Sequence, residues 1–254
     1  MTSLSSSARL GGAPVAHSSP PCPVDALAVV ARRLALADDL SVLLAELPKV
    51  APLVVAGAEH VSVTLIDKGR ITATSAGDDV ARRWASCQQQ TGEGPTIDAL
   101  RGETGIVVVP DLAGDQRWSR WRALLAQEWP GAPGGALLAL RLDAGRGQQA
   151  TLTLHSRRPR SFDRGATSAA TALSIHASIA MATVAKHDNL RVALESRDTI
   201  GQAKGILMER LRVTADEAFD LLVGASQRTN RKLRDIAEQL TTTGELVAER
   251  VPHT

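Results

Sequence analysis

The chain has 254 residues, 44% of them hydrophobic and 22% charged, which suits one ordinary domain with a buried core and a smaller second one. Its 29 Lys and Arg against 27 Asp and Glu leave a net charge of +2, too small to hold nucleic acid or an anionic membrane by bulk attraction. Any such partner must meet a local patch.

The first 23 residues are rich in Ser, Gly and Pro and lack a continuous apolar run, so they read as a disordered tail and not as a secretory signal. Two cysteines, Cys22 in this tail and Cys87, show neither CxxC nor Cys/His spacing, which points to a reducing cytoplasm and away from structural zinc. From Val24 to about His60 the apolar residues recur at helical spacing, as in Leu40, Leu43, Leu44 and Leu47, until Pro48 and Pro52 interrupt it. Val61, Val63 and Leu65 then alternate with polar neighbours, and ITATS follows the turn DKGR, which predicts a two-stranded hairpin. A helix is expected in DDVARRWASCQQQ, a turn at GEGP, a short helix around Thr96 to Leu100, and a strand in the β-branched run Gly105 to Pro110. After the helical QRWSRWRALLAQ come two further strands, Ala136 to Leu142 and Gln149 to Ser156. Five strands with interspersed helices predict an α+β domain around an antiparallel meander.

No strand signal follows Ser161. From Arg164 to Leu211 there is no proline, and one or two long helices are expected to leave the first domain; no segment is expected to approach the roughly 20 apolar residues of a membrane span. A heptad seam through Ile175, Ile179 and Ala182 meets Lys186 and Asn189, so a coiled-coil dimer and an unpaired helix both stay open. Three shorter apolar stripes close the chain. Ile200, Ala203, Leu207 and Leu211 form the first, and Thr214 with Glu217 makes a capping box that starts the next helix near Ala215. That helix carries Ala218, Leu221, Leu222 and Ala225, with Phe219 adjoining and read as buried; Asn230 is read as the N-cap of a last helix burying Leu233, Ile236, Ala237 and Leu240.

These residues carry a resemblance. The stretch from Thr199 to Leu240 is similar to the ANTAR domain, the RNA-binding module of bacterial antitermination regulators, through Ala203, Lys204, Gly205, Met208, Ala218, Phe219, Ser226, Asn230, Leu233 and Ala237. GEGPTIDALR at Gly92 to Arg101 resembles a stretch of the GAF domain that often precedes ANTAR in actinobacterial proteins, with Thr96 where relatives commonly carry Cys. The expected organisation is a tail at 1–23, a GAF-like sensor at 24–165, a helical linker at 166–196, an ANTAR domain at 197–241 and a flexible end at 242–254. The resemblance implies a cytoplasmic homodimer that binds hairpins in a leader transcript, a small-molecule ligand for the GAF-like domain, no enzymatic activity, no membrane partner and no cofactor.

The candidate RNA contacts are Lys204, Arg228, Asn230, Arg231, Lys232 and Arg234. Four of these are basic residues within Ser226 to Arg234, a stretch without an acid. A solvated helix start would also explain such a cluster, but cations at a helix N-terminus oppose its dipole, so stability alone predicts acids there. Asn230 serves equally well as a cap or a base contact, and Lys204 as an exposed lysine. Gly205 and Ala203 read as packing residues, and Met208 as core. In the first domain the four tryptophans read as core, Cys87 as unreactive and GEGP as a plain turn. His60, His155 and His176 show no metal spacing. His187-Asp188 faintly resembles a kinase phosphoacceptor, but the chain has no room after it for a nucleotide-binding domain. Two non-RNA readings remain in view: a protein-interaction module, and a DNA-binding bundle.

Overall fold

The computed structural model describes residues 23–67, 70–129, 134–145 and 147–246. Cys22, the expected N-terminal tail and the last residues of the expected flexible end lie outside them. Helices α1 (Pro23–Ala35) and α2 (Leu40–Val54) open the fold, and Asp39 caps α2 by accepting from the Val42 N–H at 2.8 Å. Pro48 and Pro52 do not interrupt α2; they lie inside it, with Pro48 itself buried. The lost backbone bonds are offset by burial of Leu43, Leu44, Leu47, Val50 and Val54 along one side.

Strands β1 (His60–Asp67), β2 (Arg70–Ala76), β3 (Ile106–Val109), β4 (Ala136–Gly145) and β5 (Gln148–Ser156) form one antiparallel sheet in the order β2-β1-β5-β4-β3. Helices α3 (Asp79–Thr91), α4 (Pro95–Arg101) and α5 (Ser119–Glu128) fill the connections. Strand side chains alternate between faces. On β5, Ala150, Leu152 and Leu154 join a core with α1, α2 and α6 (Arg164–Leu211), whereas Thr151, Thr153 and His155 face the other way, toward α3 and α4. A second core holds Trp84, Trp118, Trp121 and Leu125, the rings of Trp84 and Trp118 meeting Trp121 edge to face.

Residues 164–211 form one continuous helix of 48 residues, N-capped by Asp163. Ala166, Ala170, Leu173, Ala177, Ala180 and Met181 pack it into the first core, so the segment begins as part of the sheet domain. By length and composition this helix is apolar enough to cross a membrane, with a window of mean hydropathy 1.4, contrary to the expectation that no segment approaches that limit. Its apolar residues are shared between the sheet core and an exposed side that bears Ile175 and Ile179. Helices α7 (Ala215–Thr229) and α8 (Leu233–Thr243) fold back on its end around a third core of Ala203, Leu207, Ala218, Leu222, Ala225, Ile236, Ala237 and Leu240. The chain is thus α+β: a five-stranded antiparallel domain, a long helix and a terminal three-helix unit whose first member is the end of α6.

Candidate RNA interface

Helix α7 begins with the capping box read from sequence: the Glu217 N–H donates to Thr214 Oγ1 at 3.3 Å, and the Thr214 N–H donates to Glu217 Oε2 at 2.8 Å. The Thr214 N–H, together with the Thr214 hydroxyl, which donates to Glu217 Oε2 at 2.8 Å, holds the Glu217 carboxyl below its usual range. The far end departs from expectation. Asn230 does not start α8; it ends α7, in the left-handed conformation at φ 51°. Its N–H donates to Gln227 O at 3.4 Å, and the next N–H, of Arg231, donates to Ser226 O at 3.2 Å. These are the two bonds of a Schellman stop, in which asparagine bears a positive φ better than most residues. The Ser226 hydroxyl donates back to Arg231 O at 2.5 Å, so the turn is closed twice. Lys232 is the extended N-cap of α8 and makes no side-chain cap bond.

The cations lie on this braced turn and beside it. Arg228 is exposed in the last turn of α7, where the helix dipole favours it, and its guanidinium lies 3.0 Å from the point a Cβ on Gly224 would occupy. Arg231 is exposed and donates to Gln239 Oε1 at 2.7 Å. Lys232 is exposed, Arg234 half-buried. Among the described residues, the ion pairs of the helical half join Arg191 to Asp188 and Glu195, and Arg212 to Glu209; none includes Lys204, Arg228, Arg231, Lys232 or Arg234. The shallow groove beside Arg231 is also lined by Asp235 and Glu238, which limits phosphate contact on that side. Arg210 is spent otherwise, donating to the carbonyl of Gly244 at the end of α8.

Lys204 stands apart, on α6, with its Nζ 5.8 Å from the ring centroid of Phe219. Phe219 is not buried: it is 38% exposed, and Met208 is 37% exposed. The core positions of α7 are Ala218, Leu222 and Ala225, and Phe219 sits one step off that stripe. A helical projection of the sequence would have shown this. Gly205 is exposed with open space where a side chain would go, so it does not serve close packing inside the chain, whereas Ala203 does. Phe219 and Arg228 are nine residues apart, about two and a half turns, so they project from opposite sides of α7.

The first domain has a second polar cluster, which spacing alone did not reveal. His60 and His155 are cross-strand partners and stack at 5.4 Å, while Trp84 lies 4.0 Å from His155. His60 Nδ1 is 2.9 Å from Asp78 Oδ2, and His155 Nε2 is 3.0 Å from Gly134 O. Burial pushes His155 down to about 4, against the lifting effect of the Gly134 carbonyl. The Thr96 hydroxyl meets that of Thr153 at 2.9 Å, and the Thr96 N–H donates to Gln88 Oε1 at 2.8 Å, so GEGP is a turn already capped from within the protein. The space among these groups is no larger than a water-sized void. Cys87 is buried, with its thiol raised by burial and by Glu128. Among the described residues, no three His, Cys, Asp or Glu gather as metal ligands.

The ANTAR domain family matches residues 188–240. No curated protein matches the chain. Among solved structures, a bacteriophytochrome from R. palustris superposes with a TM-score of 0.50 at 12% identity, over 84% of this chain and 48% of that one. The GAF domain of an Acinetobacter phosphoenolpyruvate-protein phosphotransferase gives 0.44 at 15% identity, over 66% and 97%. A free methionine-R-sulfoxide reductase from Neisseria meningitidis gives 0.47 at 14%, over 65% and 91%. The match at 188–240 coincides with the end of α6, the capped α7 and the braced turn into α8, and the sheet domain ahead of it has the strand arrangement and helical cover described above. Residues 188–240 thus form an ANTAR domain, joined through one long helix to an α+β domain whose fold is similar to that of the bacteriophytochrome.

Proposed function

We propose that the chain is a cytoplasmic, non-enzymatic antitermination regulator. Its GAF-like domain (24–165) receives a signal, a helical linker (166–196) passes it on, and the ANTAR unit (197–241) binds tandem hairpins in a leader transcript so that a terminator cannot form. Lys204, Arg228, Asn230, Arg231, Lys232 and Arg234 are the contacts. One observation carries the reading: inside the ANTAR match, a doubly closed turn presents cations that have no carboxylate within ion-pair distance among the described residues. Phosphates would neutralise them, while loop bases, which are unstacked in single strands, are read by hydrogen bonds and stacking. The protein acts as a homodimer in this reading, supported by Ile175, Ile179, Leu190 and Leu194 exposed on α6. A small molecule received by the GAF-like domain is the proposed input.

Gel-shift titration with a two-hairpin leader RNA, its scrambled counterpart and duplex DNA tests this. Selective binding to the hairpins is expected, and the double variant Arg231→Ala/Lys232→Ala should lower the salt slope by roughly 0.7 to 0.9 per lost phosphate contact. Equal weak binding to all three nucleic acids, insensitive to the double variant, rejects the proposal.

A further inference from the structure

Phe219 is the single aromatic residue between Phe162 and the C-terminus. The fold does not consume it. Ala218, Leu222 and Ala225 supply the buried side of α7, and the Phe219 ring is left more than a third exposed. The Lys204 ammonium stands over that ring at 5.8 Å, within cation–π range, and takes no carboxylate among the described residues. Gly205 follows it in the sequence, exposed and uncrowded, and Met208 is exposed one turn further along α6. Along α7, Phe219, Val223 and Ser226 recur at spacings of four and three, so they share one flank that runs to Asn230 and the cationic turn. An open aromatic ring beside an unpaired ammonium, at one end of a path leading to further cations, complements a nucleotide: a flat apolar base joined to an anionic phosphate. A protein partner would call for a broad apolar patch; Met208, Leu211 and Leu221 are exposed as well, but Lys204, Asp216 and Asp220 interrupt them with charge.

We propose that Phe219 and Lys204 form a nucleobase platform, on which one unpaired loop base of the RNA stacks while Lys204 neutralises its phosphate. This rests on the RNA-binding reading above and adds to it a residue that reads by stacking, across α7 from Arg228.

The test uses the full chain. A pool of two-hairpin RNAs with randomised loops is enriched on the wild-type protein, and 2-aminopurine replaces each loop purine of an enriched RNA in turn. Stacking on Phe219 quenches the fluorescence at one loop position. Phe219→Leu keeps the apolar bulk and removes the ring; it should abolish that quenching and weaken binding about 5- to 150-fold, the range for one lost base stack, without changing the salt slope. Phe219→Trp should preserve both signals. Lys204→Ala should lower the salt slope by about 0.7. If Phe219→Leu binds like wild type while Arg231→Ala/Lys232→Ala binds weakly, the platform is overturned and the RNA reading stands. If Phe219→Leu loses RNA binding together with the wild-type sedimentation mass or melting curve, the residue is a subunit or folding contact and the platform is likewise overturned. If no enriched RNA binds better than its scrambled form, the RNA reading fails and takes the platform with it.

Discussion

Replacing Leu222 by Ala should unfold the terminal helical unit and spare the sheet domain. The core of the terminal unit holds four large side chains, Leu207, Leu222, Ile236 and Leu240, the rest being Ala203, Ala218, Ala225 and Ala237. Leu222 is fully buried. Truncating a buried leucine costs about 2–5 kcal/mol, whereas a unit of some 45 residues at the usual 0.05–0.15 kcal/mol per residue holds roughly 2–7 kcal/mol in all. The loss is therefore of the same size as the whole stability of the unit. Two probes separate the halves, because Trp84, Trp118, Trp121 and Trp129 all belong to the sheet domain. Far-ultraviolet circular dichroism of Leu222→Ala should show the fifteen and eleven residues of α7 and α8 melting early, while the tryptophan fluorescence transition keeps its wild-type midpoint. If fluorescence and dichroism shift down together, the two cores are one cooperative unit and the reasoning fails.

Three other perturbations have definite outcomes. Thr214→Ala should destabilise α7 by about 1 kcal/mol, read as a lower melting midpoint of the terminal unit. Because Glu217 is held below its usual range, the contribution of the box is present above the unfolded carboxyl's pKa and lost as pH falls through the depressed folded value; Glu217→Gln should flatten that dependence. His155 takes up its proton near pH 4 in the fold and near 6.5 when unfolded, so stability should be full above 6.5 and fall by up to about 3 kcal/mol as pH drops to 4. Tryptophan-detected denaturant titrations at several pH values check this, and His155→Gln should remove most of the slope. In a Cys22→Ser background, Cys87 should resist iodoacetamide at pH 7 until denaturant is added, as expected of a buried thiol raised by Glu128.

The elements with strong local signals were legible in the sequence. Alternation in Val61–Leu65 marked one central strand, Gln149–Ser156 was legible as another, and Thr214 with Glu217 marked the start of α7. What failed depended on three-dimensional context. Pro48 is tolerated in α2 because burial outweighs a broken bond. Asn230 has the chemistry of an N-cap and of a left-handed stop alike, and the bonds from Gln227 and Ser226 decide between them. The cations at the turn were visible as a cluster, but which of them lack carboxylate partners was not. His60 and His155 lie ninety-five positions apart, and only the register of β1 against β5 stacks them.

The heptad seam in α6 breaks for a reason that the packing explains. Ala170, Leu173 and Ala177 face the sheet domain's core, whereas Ala203 and Leu207 face the terminal unit, about a third of a turn further round the axis. Between them none of residues 185–199 is buried, and this span of about 22 Å is steadied by little more than the pairs of Arg191 with Asp188 and Glu195. The rod therefore behaves as a shaft keyed at both ends and unsupported midway. Torque applied at the sheet end would reorient Lys204 so long as that bare middle stays wound, and local melting there would act as a clutch between the two domains.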